Sequence, residues 1–380
     1  MRVMHVMEST IGGTRRHLVD LAGGLAERGL EVYLAVSAER QPDFRADLER
    51  LAAAGCHVRE LAMVRSISPL RDARHLRALE GLLRTERPDI VHTHSSKGGV
   101  LGRAASIRSG IGRRVHTPHT LAFLFRDMFG PLKRRAFFEL ERRLGARTER
   151  VIAVSESEGR TVRESGIVAS ERVRVIPNGV EVGIAGDGPG DRPQGLDLSA
   201  LDLDPDLPCA AVVGLLNVAK GQDLALDALA DHPRLQLLIV GHGECRAALE
   251  ERAERRGVAG RVRFLGFRPD VERILASVEL LLLPSRWEGM PYVVLEAMAA
   301  GVPVVATPVD GALDVIEEGR CGWLASEISA AALSAALGRA LALTRAERRE
   351  VGERGRERVA RHFTREAMVD AVVDLYRELL

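Results

Sequence analysis

Between residues 284 and 307 the chain reads PSRWEGMPYVVLEAMAAGVPVVAT, which sets Glu288 and Glu296 eight positions apart, with Gly289 and Pro291 beside the first. An ionised carboxylate only accepts hydrogen bonds, so a pair of them in apolar sequence suits the hydroxyls of sugars. Proline is welcome in the first turn of a helix. The amides of such a turn, backed by the helix dipole, form an anion site, and glycine lets backbone approach a ligand closely. Glu296 lies five residues into that helix, roughly 7 to 8 Å along its axis at about 1.5 Å per residue, and leans back toward its start. A phosphate flanked by two such acids describes a nucleotide whose ribose and attached sugar are held by one each. The bare spacing is more readily two solvated glutamates. What gives it weight is VVGLLNVAKGQDLALDALA, where a strand runs into a loop carrying Lys220 and Gly221 ahead of a helix. A lysine there neutralises a diphosphate, although alone it too reads as a solvated charge.

The elements that must carry these residues are legible from the hydrophobic period. Short Val/Ile/Leu runs alternate with stretches of helical period, from MRVMHVM and GTRRHLVDLAGGLAERG through PDIVHTHS to ERVIAVSES. That alternation means βαβ units around a buried parallel sheet. The pattern lapses in GIAGDGPGDRPQGLDLSALDLDPDLP and restarts at CAAVVGLL, which marks a domain boundary. The expected layout is α/β: a doubly wound domain over 1–183, a linker over 184–207, a second doubly wound domain over 208–362, and a C-terminal helix over 363–380 that crosses back to the first. Ligands in such sheets bind at the carboxyl ends of the strands, so the site is expected at a central cleft that the two domains face.

Bulk composition narrows the classes. A chain of 380 residues, 46% hydrophobic, is long for a single core. Its 54 basic and 53 acidic groups balance to a net charge of +1, which speaks against a nucleic-acid partner and leaves only local basic patches to explain. Cys56, Cys209, Cys245 and Cys321 are dispersed without metal or disulfide spacing, as in a reducing cytoplasm. No apolar run approaches the ~20 residues of a spanning helix. Gly241 and Gly243 in IVGHGECRAALE are followed by Arg246 where a dinucleotide fingerprint wants its third glycine, so a nicotinamide cofactor is disfavoured. The Asp202-Leu-Asp204-Pro-Asp206 run has divalent-metal composition but falls in the expected linker, and no metal is assigned to it.

Together these motifs resemble the retaining GT-B glycosyltransferases of the glycogen-synthase-like family 4 group. The likeness runs nearly the whole length, through RPDIVHTHSSKGGVLGRAAS, VHTPHT, VIPNGVE, AKGQD and GHGE, and is most specific at EGMPYVVLEAMAAGVPVV. It implies two Rossmann-like domains and a hexosyltransferase that moves a sugar from a nucleoside diphosphate sugar with retention of configuration, without cofactor or metal. It also implies roles. Glu288 binds donor-sugar hydroxyls, Gly289, Met290, Pro291 and Tyr292 present backbone to sugar and phosphate, Glu296 holds the ribose, and Gly243 lines the donor site. Lys220 offsets charge on the leaving diphosphate. Gly12 and Gly13 bring backbone near donor and acceptor, or simply make a tight turn, and His119 supports the transferred sugar. One departure stands out: Leu215 occupies the place of an arginine usual in the family, so either another basic residue such as Arg15 or Arg16 substitutes, or donor affinity is reduced, or this member has drifted from catalysis.

The acceptor side is read from the first domain, with His94, Lys97 and Arg15 as its candidates. Residues 101–150 hold twelve Arg/Lys against four Asp/Glu, and five of nine phenylalanines fall between Phe123 and Phe138. Two readings stand: peripheral contact with an anionic membrane at its inner, cytoplasmic face, or phenylalanines turned into the core beneath a solvated basic helix. Similar segments in the family accompany synthesis of cell-envelope or exopolysaccharide units on lipid carriers, so a lipid-linked precursor or other glycan is the expected acceptor. A nucleotide-sugar 2-epimerase of the same fold and a catalytically silent nucleotide-sugar-binding protein are the competing functions.

Overall fold

The computed structural model describes residues 1–124, 129–182 and 194–380. They divide into two compact units, Met1–Asn178 with Arg365–Leu380, and Gly179–Thr364. The first unit alternates β1 (Arg2–Met7), α1 (Gly12–Glu27), β2 (Glu31–Val36), α2 (Phe44–Ala53), β3 (His57–Glu60), α3 (Pro69–Glu86), β4 (Ile90–His94), α4 (Ser96–Ser109), β5 (Arg113–Thr117), α5 (Pro131–Gly145), β6 (Arg150–Ala153), α6 (Glu156–Ser165) and β7 (Val173–Val175). Its seven strands lie in the order β3-β2-β1-β4-β5-β6-β7, and every pairing is parallel. Helices cover both faces, which is why β1, β2 and β4 are apolar or buried along nearly their whole length rather than alternating.

The second unit runs β8 (Cys209–Val213), α7 (Gln222–Leu229), β9 (Gln236–Val240), α8 (Arg246–Arg255), β10 (Val262–Gly266), α9 (Val271–Leu275), β11 (Leu280–Leu283), α10 (Tyr292–Ala299), β12 (Val304–Ala306), α11 (Ala312–Val315), β13 (Gly322–Leu324), α12 (Ala330–Leu341) and α13 (Arg345–His362). Its sheet order is β10-β9-β8-β11-β12-β13, again parallel throughout. In each sheet the strand order reverses once, between β1 and β4 and between β8 and β11. Those reversal points are where doubly wound sheets open a crevice for ligands.

The last helix, α14 (Arg365–Arg377), belongs to the first unit. Val369, Val372, Val373 and Tyr376 join a core with Leu18, Leu21 and Leu25 of α1. The Tyr376 hydroxyl lies 2.6 Å from His92 Nδ1, both residues fully buried. The expected boundary between 183 and 184 lies outside the described residues. Residues 194–207, expected as linker, are fastened to the second unit: Leu196 N donates to Ser277 Oγ at 2.5 Å and Asp204 N to Gln236 Oε1 at 2.7 Å. The Asp-Leu-Asp-Pro-Asp run thus borders a packed segment, because its backbone groups are used to close the edge of the unit. All four cysteines are free thiols. No helix among the described residues is long and apolar enough to cross a membrane.

Candidate active site

In the second unit the two strands that flank the reversal point each end in a loop that carries a charged side chain. After β8, Asn217 accepts from Lys220 N with its side-chain oxygen at 3.2 Å and folds the loop over. After β11 comes Glu288. Lys220 Nζ meets Glu288 Oε1 at 2.6 Å, with the lysine 28% and the glutamate 10% exposed. Ser285 Oγ donates to the same oxygen at 2.7 Å. Both of these bonds use Oε1. Loop 286–291 then delivers the chain to α10. Pro291 is the residue just before that helix, one position earlier than expected, and has no side chain to cap it. The first amides of α10 therefore depend on other acceptors, as helix starts do. Glu296 sits on the second turn, half-buried; Met290 and Tyr292 are buried.

Three supports of this arrangement gave no signal in the sequence. Arg286 ties the two loops together: its backbone N donates to Ala219 O at 2.7 Å and its guanidinium grips both Asp223 oxygens at 2.8 and 2.7 Å. Burial raises the Asp223 carboxyl, but the Arg286 bonds outweigh it and hold the group below the usual aspartate range. Thr307 Oγ1 donates to Ser285 O at 2.5 Å, fixing the serine that orients Glu288. Gly311 has φ +74°, and a Cβ there would stand 2.5 Å from Gly289 O and 2.6 Å from Met290 Cα, so only glycine lets the turn rest on it. Gly243, expected to face the donor, is needed for a different reason: a Cβ would stand 2.2 Å from Leu216 O, so its close approach is to its own chain.

In the first unit, His94 ends β4, and His119 lies in the loop after β5 with φ +53°, followed by Thr120 at φ +98°. Both are left-handed conformations that cost non-glycine residues energy, and they persist only where the surroundings impose them. Glu158 imposes them here. It is a buried carboxylate in the first turn of α6 whose oxygens accept from Thr120 N and from Val154 N, each at 2.7 Å. The His119 ring is T-shaped to His17, with centroids 4.6 Å apart. Burial, then the neighbouring His17, holds it well below the ordinary imidazole pKa, so the ring is neutral. Gly12 and Gly13 open α1 on an exposed turn, Gly12 with φ +52°.

The remaining acceptor candidates are engaged within the first unit. Lys97 Nζ meets both Asp72 oxygens at 2.7 Å and Ser66 O at 2.9 Å. Arg15 is paired with Asp47 at 2.5 Å and Asp43 at 2.9 Å, and Arg16 with Asp20 at 2.7 Å. Neither arginine is an uncommitted stand-in for the position of Leu215; each already has an acid of its own unit. Of the phenylalanines, Phe123, Phe137 and Phe138 pack into a core cluster with Leu121 and Val151, and Phe125 lies outside the described residues. That is the inward reading of the aromatic stretch. Leu132 and Leu124, at 83% and 44% exposure, are its outward apolar residues.

Two family models match the chain, Glycosyltransferase Family 4 over residues 11–183 and Glycosyl transferases group 1 over residues 197–358. The chain belongs to the GT-B glycosyltransferases of family 4. The lipopolysaccharide core biosynthesis glycosyltransferase LpsE of Rhizobium meliloti (strain 1021) is 28% identical to this glycosyltransferase over 376 residues, covering 99% of this chain and 98% of that one. The UDP-Gal:alpha-D-GlcNAc-diphosphoundecaprenol alpha-1,3-galactosyltransferase of Escherichia coli is 31% identical over 256 residues, 66% of this chain and 65% of its own. Among solved structures, Anabaena Alr3699/HepE in complex with UDP and glucose superposes with a TM-score of 0.81 at 22% identity over 100% of both chains, a likeness of fold. The glycosyltransferase thus has two parallel-sheet domains of the GT-B kind, each with polar groups gathered at the carboxyl ends of the strands beside its reversal point.

Proposed function

We propose that this glycosyltransferase moves a hexose from a UDP-type nucleoside diphosphate sugar to a lipid-linked glycan precursor of the cell envelope, with retention of anomeric configuration and without a bound metal. The observation that carries the reading is the 2.6 Å pair of Lys220 and Glu288 at the two strand ends that flank the reversal point, beside the start of α10. In this proposal the α10 amides and Lys220 receive the diphosphate, Glu288 Oε2 and the backbone of Gly289, Met290, Pro291 and Tyr292 receive the sugar, and Glu296 receives the ribose hydroxyls. The neutral His119 orients the sugar by hydrogen bonding, since a ring whose protonated form is this disfavoured is a poor base. The named activities of the two curated relatives favour transfer over epimerisation or silent binding, and they support the donor and acceptor classes. The expected result is transfer from a UDP-hexose to a polyprenyl diphosphate-linked acceptor that survives EDTA, with the donor's anomeric configuration in the product by NMR coupling constants. An inverted product, or activity that needs added Mg²⁺, would overturn the corresponding part.

We further propose peripheral contact with the inner face of an anionic membrane through the exposed face of α5, where Leu132 stands beside the exposed Lys133 and Arg135. Each cation near an anionic surface contributes about 1 kcal/mol. The protein is expected to float with phosphatidylserine- or phosphatidylglycerol-rich vesicles at low salt, and the doubly substituted Leu132→Asp, Lys133→Glu protein to stay at the bottom. Equal behaviour of the two would remove this face from the proposal.

A further inference from the structure

The carboxyl ends of β1, β4 and β5 hold more imidazole than sugar positioning needs. Two sets of three histidines each bring one ring nitrogen apiece within 4.8 Å of one another: His5, His92 and His94, and His17, His94 and His119. They are not equivalent. In the first set His5 Nδ1 and His94 Nε2 are 2.9 Å apart, a hydrogen bond. His92 is committed at both nitrogens, to Tyr376 Oη at 2.6 Å and Thr117 Oγ1 at 2.8 Å. Protons fill that set.

The second set has a different geometry. His94 Nδ1 and His119 Nε2 are 3.4 Å apart. That is long for a hydrogen bond, whose usual range ends near ~3.2 Å, and it matches the ~3.3 Å between two ligands on one tetrahedral zinc with Zn–N bonds of about 2.0–2.1 Å. The ring centroids are 4.6, 5.6 and 5.6 Å apart. Three imidazoles on such an ion place theirs about 5 Å apart. His17 Nδ1 lies 2.9 Å from the Asn178 side-chain oxygen, an acceptor, so the ring proton sits there and Nε2 carries a lone pair. That Nε2 is buried and has no hydrogen-bond partner among the described residues. Metal binding requires the shared proton of the His5–His94 pair on His94 Nε2, which leaves the lone pair of His94 Nδ1 for the ion. An outer carbonyl or ring that fixes the tautomer of each ligand is what metal-binding histidines require.

We propose that His17, His94 and His119 bind a divalent transition ion of the Zn²⁺ class through three imidazole nitrogens, with a fourth position open. Imidazole suits Zn²⁺, Ni²⁺ and Cu²⁺, whereas Mg²⁺ and Ca²⁺ require oxygen ligands that this set lacks. Burial keeps all three rings neutral and able to ligate at neutral pH. Bound metal withdraws His119 from the donor sugar, so Zn²⁺ is an inhibitor of transfer; this consequence rests on the role proposed above for His119, and the binding itself does not.

The test uses the full-length protein freed of metal and titrated with Co²⁺, then with Zn²⁺. Expected are saturable visible bands of tetrahedral, nitrogen-ligated Co²⁺ that Zn²⁺ abolishes, and a rise in Tm with Zn²⁺. His119→Ala, in a half-exposed loop, should weaken both signals at least about tenfold, and Asn178→Ala should weaken binding about 10- to 100-fold. The metal-free melting curve shows that each variant is folded. A weak octahedral Co²⁺ spectrum, or bands and a Tm shift that survive in His119→Ala, would overturn the site. Tetrahedral bands with undiminished transfer in Zn²⁺ would uphold the site and remove His119 from the donor sugar.

Discussion

Replacing Lys220 with alanine is expected to lower kcat by about 10²- to 10³-fold, the usual cost of one fixed donor that meets charge developing in a transition state. When the bond from sugar to diphosphate breaks, the departing group gains negative charge. In the proposed metal-free reaction that charge has to be met by donors already in place. Lys220 is such a donor: Asn217 holds its loop, Arg286 ties that loop to the one bearing Glu288, and its ammonium stands 2.6 Å from Glu288. Removing it also leaves a carboxylate beside the diphosphate with no cation to screen it. The interaction strengthens as charge develops, so the loss should fall more on kcat than on KM. Ser285 still donates to Glu288 in the variant, and melting curves show whether the fold is kept. Steady-state kinetics with a UDP-hexose, beside melting curves, would decide it. A kcat within tenfold of the parent would remove Lys220 from the chemistry.

The sequence carried the sheets and the charged loops at their strand ends because their signals are local. Unbroken apolar runs mark strands buried on both faces, and a lysine or glutamate just after such a run has to stand at a strand's carboxyl end. What it withheld was the set of partners fixed by long-range contact. Asp43, Asp47 and Asp72 lie far along the chain from Arg15 and Lys97, so nothing in a one-dimensional pattern showed those cations to be engaged. Glu158, which no local pattern singles out, is buried and holds the His119–Thr120 turn. The glycine of GHGE is placed at the donor by the family resemblance, whereas the atom that requires a glycine there, Leu216 O, lies too far along the chain to be read from sequence. The phenylalanines left two readings open, since composition cannot tell which way a ring turns, and Phe123, Phe137 and Phe138 take the inward one. His17 lies within the first helix, and only the fold brings it against His94 and His119.

The same histidines make the first unit acid-sensitive, and metal-free protein is expected to lose most of its stability between pH 6.5 and pH 5. Burial holds His5 down at about 3 and His17 at about 4, and keeps His92, His94, His116 and His119 well below the ordinary value of 6.5. Above pH 6.5 neither the folded nor the unfolded chain protonates these rings, so no penalty exists there. As the pH falls through 6.5 the unfolded chain takes up protons that the folded chain refuses, and stability falls with it. Each ring costs up to about 1.4 kcal/mol per pH unit. Since the rings share one cluster and their penalties are coupled, even part of this loss is a large share of the about 5–15 kcal/mol stability of an ordinary domain. Melting curves in EDTA from pH 7.5 to 5 should show Tm falling steeply below 6.5, and His17→Gln should make that slope shallower by one proton's worth. A Tm that stays flat to pH 5 would mean that the rings accept protons in place, and the neutrality of the histidine set would have to be given up.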